Sequence, residues 1–317
     1  VQREPGQGDG TGTRSAAGAF AVLLGAAAWG SAGTAAHFAP AGASSDSIAA
    51  ARIVLGGAVL LAMTAGRRRR TEARAMLAVG WSARIGVGLA AVGVAGYQLC
   101  FFSAIRLTGV AIGTVLAIGS APVFTGLVSY VTRGPRPTAR WLVATAAAIA
   151  GCAVLVTGGK AAGVQLGGVG LALMAGFCYA VYAVTASRLI SAGASATAVM
   201  GVLFGGGAIL LVPVLAASSP GWLVSVRGIT VIAYLGLITT VLAYLLYGRG
   251  LRTVPVPVAV TLGLAEPVVA ALLGVLVLGE RLTGPTLAGL VLVGLAIVIL
   301  TVGRQPADAG VSTGPPG

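Results

Sequence analysis

Apolar runs of about 20 residues recur from one end of the chain to the other, and that is roughly what one helix needs to cross a bilayer. A soluble core would instead alternate apolar and polar faces along each element. Of 317 residues, 57% are hydrophobic and only 9% are charged, with mean hydropathy +0.99. Too little polar surface exists to clothe a soluble fold of this size. The chain is therefore read as an all-α polytopic membrane protein.

About ten spanning helices fit the runs, near 16–38, 46–66, 85–105, 109–130, 141–157, 166–186, 196–216, 228–247, 254–278 and 285–303. The fifth is short, and the third and fourth are nearly continuous. With both termini inside, the inner segments hold 15 basic residues: Arg3, Arg14, Arg67, Arg68, Arg69, Arg70, Arg74, Arg84, Arg133, Arg136, Arg140, Arg188, Arg249, Arg252 and Arg304. The outer loops hold 4, namely Arg106, Lys160, Arg227 and Arg281. That asymmetry obeys the positive-inside rule for a multi-pass protein of the plasma membrane with cytoplasmic termini, and an odd number of spans would spoil it.

A net charge of +13 and a pI of 11.0 raise the question of nucleic acid. The basic residues lie between the apolar runs without aromatic residues interleaved to stack bases, so the run Arg67 to Arg70, with Arg74 and Arg84, is expected to be a solvated cytoplasmic loop and no nucleic-acid partner is expected. Cys100, Cys152 and Cys178 lie singly in apolar runs and read as small buried residues, not a disulfide framework or metal site. The stretch Thr157-Gly158-Gly159-Lys160-Ala161 lacks the leading Gly and following Ser or Thr of a phosphate loop. No cofactor, metal or ATP drive is expected.

Residues 1–15 are polar and Gly-rich and are expected to be a disordered cytoplasmic N-terminus. The apolar run that follows, with small residues from Ser31 to Ala36, superficially resembles a secretory signal but is long for one, and is taken as an uncleaved first helix. Residues 304–317, rich in Pro and Gly, are expected to be a disordered tail.

The halves match one another. Ala104-Ile105-Arg106 faces Gly250-Leu251-Arg252 at a shift of 146, and Ala121-Pro122-Val123 faces Glu266-Pro267-Val268 at a shift of 145. Val154-Leu155-Val156-Thr157-Gly158 faces Ile299-Leu300-Thr301-Val302-Gly303 at 145, and Trp29-Gly30 corresponds to Tyr179-Ala180. Five spans at 16–157 then precede five at 166–303; because five is odd, the copies enter the membrane from opposite sides, as inverted repeats do in secondary transporters. Within a helix Pro122 cannot donate to the Ile118 carbonyl, nor Pro267 to that of Gly263. Broken or kinked helices in both halves are expected there, with a packing kink as the competing reading.

These residues resemble the EamA family of the drug/metabolite transporter superfamily. The strongest likeness is Leu264-Ala265-Glu266-Pro267-Val268-Val269-Ala270-Ala271-Leu272-Leu273-Gly274, continuing to Leu278-Gly279-Glu280-Arg281-Leu282-Thr283. Ala28-Trp29-Gly30, Ala51-Arg52 and Ala121-Pro122-Val123-Phe124 support it. The first copy departs from the pattern, with Ala121 opposite Glu266 and Pro135 opposite Glu280, so any acid chemistry would be asymmetric. The resemblance implies a ten-helix exporter of small metabolites, amino acids or drugs, with a central cavity between the halves.

Glu266 is the one carboxylate deep in an apolar span, among only seven acidic residues. It lies about 18 Å along a helix from Val254, near the middle of a ~30 Å hydrocarbon core, where a charge costs about 3 kcal/mol on insertion scales. Proton exchange, recognition of an ammonium group, and a hydrogen bond that glues helices are all open to it. Arg52 has three readings: a contact to a substrate carboxylate, a structural pair with Glu280, or a side chain that snorkels to the outer interface. His37 is a candidate proton relay or a solvated interfacial residue. Trp29, Tyr97, Gln98, Tyr179, Tyr182, Tyr244 and Tyr247 add polar or aromatic groups at membrane depth, suited to a mainly apolar pocket or to packing. Trp81, Trp141 and Trp222 are expected as interfacial belt anchors. Gly109-x-x-x-Gly113 and Gly201-x-x-x-Gly205 are expected to let helices approach closely.

The expectation is a secondary transporter, not an enzyme, that moves a small-molecule substrate, with protons as a candidate coupling partner, by alternating access. A lipid or lipid-linked-group flippase, an integral-membrane enzyme and an assembly subunit are the alternatives.

Overall fold

Backbone amides inside a bilayer have no water to bond, so each apolar run satisfies its hydrogen bonds within itself as helix. A computed structural model of the protein describes residues 9–78, 81–108, 110–132, 137–157, 165–278 and 284–302, and all regular structure among them is helical. The α-helices are α1 (Asp9–His37), α2 (Ser45–Ala62), α3 (Arg67–Ala78), α4 (Trp81–Thr108), α5 (Val110–Val131), α6 (Ala139–Thr157), α7 (Leu166–Ser191), α8 (Ala196–Ala217), α9 (Val226–Ala233), α10 (Ala243–Gly250), α11 (Val256–Leu262), α12 (Ala265–Leu278) and α13 (Gly284–Val302). A π-helical segment, Tyr234–Leu242, fuses α9 and α10 into one rod, Val226–Gly250. Hydropathy does not signal it: the hydroxyls of Thr239 and Thr240 both donate to the Leu235 carbonyl, at 2.8 and 3.0 Å, and hold the widened turn.

Among the described residues, seven rods are long and apolar enough to cross a membrane, and three shorter apolar stretches lie in α5, α6 and α13. The protein is an all-helical polytopic membrane protein. Helices from the two ends of the chain interleave. α4 packs on α7 and α8, α2 on α8 and the π segment, α1 on α10 and α12, α5 on α7, and α6 on α13. The expected close approach at Gly201 and Gly205 is present: a Cβ on Gly201 would stand 2.6 Å from the Leu60 carbonyl oxygen, and one on Gly205 2.9 Å from Leu61 Cβ.

Polar contacts tie the helix ends in two groups. In one, Arg106 pairs with Asp46, Trp222 Nε1 donates to Ser47 Oγ at 2.8 Å, and Arg227 donates to the Phe38 carbonyl at 2.5 Å. In the other, Arg188 donates to the Thr132 carbonyl, Arg140 to the Ile299 carbonyl, and Ser195 to Glu72. The arginines at Phe38, Thr132 and Ile299 supply donors to carbonyls near helix C-termini, where a cation is also favoured by the helix dipole.

Two of the expected belt anchors are corrected. Trp222 is buried on Ser47, and Trp141 is buried with its indole N–H on Thr261 Oγ1 at 3.2 Å and its ring over Gly126. An indole can satisfy its one donor on a neighbouring helix as well as at the headgroups, and a hydroxyl was available in both cases. The Trp81 side chain lies outside the described residues.

The expected arginine loop is also corrected, because Arg67–Ala78 forms α3. Arg, Glu, Ala, Met and Leu are good helix formers, and Arg68 pairs with Glu72 one turn on, at 3.3 Å. Ala73 and the buried Met76 face the core, and α3 docks on α4 and α8. Glu72 is the clamp. Its Oε2 accepts from Ser195 N at 3.2 Å and Ser195 Oγ at 2.5 Å, while Ser195 itself caps α8. Chiefly through the Ser195 bond, with help from Arg68, the Glu72 carboxyl is held below its ordinary value of 4.5. A depressed carboxylate contributes its full stabilisation above the unfolded value and loses it as pH falls through the folded one. Amide protection along α3, taken relative to the intrinsic exchange rate at each pH, is therefore expected to fall as pH drops below that ordinary value. In Glu72→Gln exchange there is expected to run about fivefold faster at neutral pH, for a loss of ~1 kcal/mol.

Candidate substrate cavity

The site begins with a break in a helix. α11 ends at Leu262 and α12 starts at Ala265, with Gly263 and Leu264 between them as a turn. Leu264 N–H reaches the Thr261 carbonyl at 3.0 Å, and Glu266 N–H takes the Gly263 carbonyl at 2.9 Å. The break is moored to α6. Thr261 Oγ1 donates to the Pro257 carbonyl at 2.9 Å, and so accepts from Trp141 Nε1 and from Thr145 Oγ1, the latter at 3.0 Å. Cys152 Sγ lies 3.8 Å from the Leu264 carbonyl it donates to.

This arrangement corrects the expected symmetry of the prolines. Pro267 falls in the first turn of α12, where amides have no intrahelical acceptor, so its missing donor removes nothing. The Gly263 carbonyl is not left free. Pro122, by contrast, lies inside an unbroken α5. Where the second half has Gly263 the first has Ile118, and glycine is the poorer helix former.

Just beyond the break, a narrow, partly open cavity is lined by Trp29, Tyr97, Ile118, Ala121, Tyr179, Val260, Gly263 and Glu266. Three pairs in that lining are positions matched between the halves: Trp29 with Tyr179, Ile118 with Gly263, and Ala121 with Glu266. The sequence pattern does not single out Ile118, Ala121, Val260 or Gly263 as lining residues. A Gly three residues before Pro267 was the available signal, because it permits the turn that opens the helix.

Aromatic rings surround Glu266. Tyr97 stacks on Phe101 at 5.6 Å between centroids and meets Tyr179 at 5.9 Å. Trp29 lies 5.0 Å from Tyr244 and 5.4 Å from Tyr247, and Tyr179 lies 4.9 Å from Tyr182. A second layer next to the cavity consists of Tyr182, Tyr244, Tyr247 and Phe204, all buried. The hydroxyls of Tyr182 and Tyr247 face Tyr244 and Tyr179 but lack hydrogen-bond geometry, and Trp29 Nε1 also has no partner among the described residues.

Arg52, on α2, is within electrostatic reach of Glu266, Tyr97 and Tyr244, yet no ion pair joins it to Glu266 and its Nε is buried without an acceptor. It stands near the cavity without lining it. Pro122 is buried beside Ala121, and Pro267 beside Glu266. Gln98 is buried, its Oε1 unpartnered, and is not part of the lining. His37 is exposed at the far end of α1, edge-on to Phe38 and about 12 Å along the helix from Trp29. Glu280 lies outside the described residues. A single carboxylate and three aromatic walls thus meet in one mainly apolar pocket, with a guanidinium nearby.

The EamA-like transporter family profile matches residues 16–157 and again 166–302. A Bacillus subtilis (strain 168) protein, "Uncharacterized transporter YwfM", is 39% identical over 260 residues, covering 82% of this chain and 85% of the relative. "Uncharacterized inner membrane transporter YicL" of Salmonella typhimurium is 28% identical over 270 residues, covering 81% and 86%. A solved crystal structure superposes with a TM-score of 0.72 at 22% identity, covering 92% of this chain and 97% of the other. That likeness is one of fold.

Proposed function

Because the chain belongs to the EamA-like transporter family, and hence to the drug/metabolite transporter superfamily, we propose that it exports a small metabolite, amino acid or drug across the plasma membrane by alternating access of two inverted five-helix repeats. Glu266 is the coupling or cation-recognition group. The observation that carries this reading is the placement of that carboxylate, at a helix break and in a cavity whose walls come from both halves.

The packing supports ten spans in two exchanged sets. If α9 and α10 count as one span and α11 and α12 as another, the pairs come in counterparts: α4 on α7 answers α10 on α1, α5 on α7 answers α12 on α1, and α4 on α8 answers the π segment on α2. α2 on α8 and α6 on α13 are their own counterparts. The two groups of helix-end contacts also agree with ten alternating crossings, since each contact then joins ends on one side; the basic residues of the inner segments favour cytoplasmic termini.

With that orientation Tyr182, Tyr244, Tyr247 and Phe204 lie between the cavity and the cytoplasmic ends of α7, α8 and α10. They form the inner barrier that must part for substrate to enter from inside. Flux of candidate solutes in vesicles holding only the purified protein, with and without a pH gradient, tests the reading. Uptake or release that responds to the gradient is expected; solute-independent lipid scrambling in its place would overturn it.

A further inference from the structure

The cavity leaves the most highly charged element of the molecule unused. α3 carries Arg67, Arg68, Arg69, Arg70 and Arg74 against Glu72, five positive charges to one negative and thus a net +4 in 12 residues. Its inward edge is occupied: Glu72 holds Ser195, and Ala73 and Met76 pack on the core. Arg68 pairs with Glu72, and Arg69 donates to the Met63 carbonyl at 3.2 Å. Arg67, Arg70 and Arg74 remain. At i, i+3 and i+7 they share one face, all three are exposed, and among the described residues their guanidinium groups make no ion pair or hydrogen bond.

What meets that face follows from the helix's position. α3 is the connection between α2 and α4, both long and apolar enough to span, so it lies where those helices leave the hydrocarbon, at headgroup depth. Guanidinium groups bind phosphodiesters through paired N–H donors, and a basic segment at a membrane edge concentrates anionic lipid. The helix has no aromatic side chain on which a base could stack. We propose that Arg67, Arg70 and Arg74 form a binding face for anionic phospholipid headgroups. The same helix is clamped through Glu72 to Ser195 at the start of α8, so bound headgroups also steady the end of the helix that carries Phe204. The proposal depends on the membrane placement of α3 and not on any role of Glu266.

The test uses the full chain in vesicles of phosphatidylcholine, with spin-labelled phosphatidylglycerol or phosphatidylcholine as the probe. Each arginine near an anionic surface is worth about fivefold in association, so the Arg67→Gln/Arg70→Gln/Arg74→Gln variant is expected to lose ten- to a hundredfold of the preference for phosphatidylglycerol at low salt. The corresponding triple Lys variant keeps most of it. Arg249→Gln/Arg252→Gln, which removes two exposed basic residues on the same side but outside the α3 face, is expected to cost markedly less of the preference than the triple Gln variant. Equal loss in that control would mean a diffuse surface potential and overturn the site, as would an unchanged preference in the triple Gln variant. Inorganic phosphate that competes in detergent as well as the lipid would assign the face to free anions instead. An unchanged melting midpoint of the triple Gln variant in phosphatidylcholine alone separates lost binding from lost folding.

Discussion

Glu266→Gln is expected to abolish the response of solute flux to a pH gradient while leaving the fold intact. Gln keeps the size and hydrogen-bonding reach of the carboxyl but carries no exchangeable charge. A charge-assisted contact is worth about 1.5–3 kcal/mol, so gradient-driven flux is expected to fall roughly tenfold or more. The substitution also separates the roles open to Glu266. A helix-gluing hydrogen bond survives in Gln, whereas proton exchange does not. Retention of full flux and full pH dependence, with the variant still folded, would remove Glu266 from the coupling mechanism. Arg52 supplies a second handle, because its field reaches Glu266 without an ion pair, and Arg52→Gln is expected to shift the pH profile of flux.

The second large effect is steric and lies directly behind the same residue. A Cβ on Gly30 would stand 2.6 Å from the Glu266 carbonyl oxygen and 3.1 Å from Ala270 N, both backbone atoms that no rotamer change can move. Gly30→Ala is therefore expected to push α1 from α12 and cost about 1–3 kcal/mol, the range for overpacking. Because the displaced atoms belong to the turn that presents Glu266, transport falls with stability. Gly33, one turn on in the same helix, has nothing within 4 Å of its would-be Cβ. Gly33→Ala is expected to be neutral or to gain about 0.5–1 kcal/mol from reduced backbone freedom. Melting midpoints of the two variants in one detergent check the pair, and equal behaviour would refute the contact at Gly30.

Much of the architecture is legible from hydropathy alone, because a bilayer leaves helix as the outcome for every apolar run, and the boundaries of α2, α8 and α13 fall within a few residues of expectation. The local departures share a cause. Position along the chain places Trp141 and Trp222 at the interface. Each instead found a hydroxyl on a neighbouring helix, at Thr261 and Ser47. Charge alone makes the arginine run a loop, yet one apolar edge, Ala73 and Met76, and one carboxylate, Glu72, are enough to dock it as a helix. The π segment is invisible to any pattern with helical period, because its widened turn is held by two threonine hydroxyls on one carbonyl.

The sequence by itself determined the helical class, the apolar runs, the internal likeness between Ala121-Pro122 and Glu266-Pro267, and the family; each rests on composition and local order along the chain. Only the tertiary structure decided that the two prolines differ, that Glu266 shares one cavity with Trp29, Tyr97 and Tyr179, and that Arg52 comes near it without pairing. Those facts depend on which helix packs beside which. In a membrane interior that choice is made by close van der Waals contact and by single hydrogen bonds such as those at Thr261, not by hydropathy, which is alike on every helix.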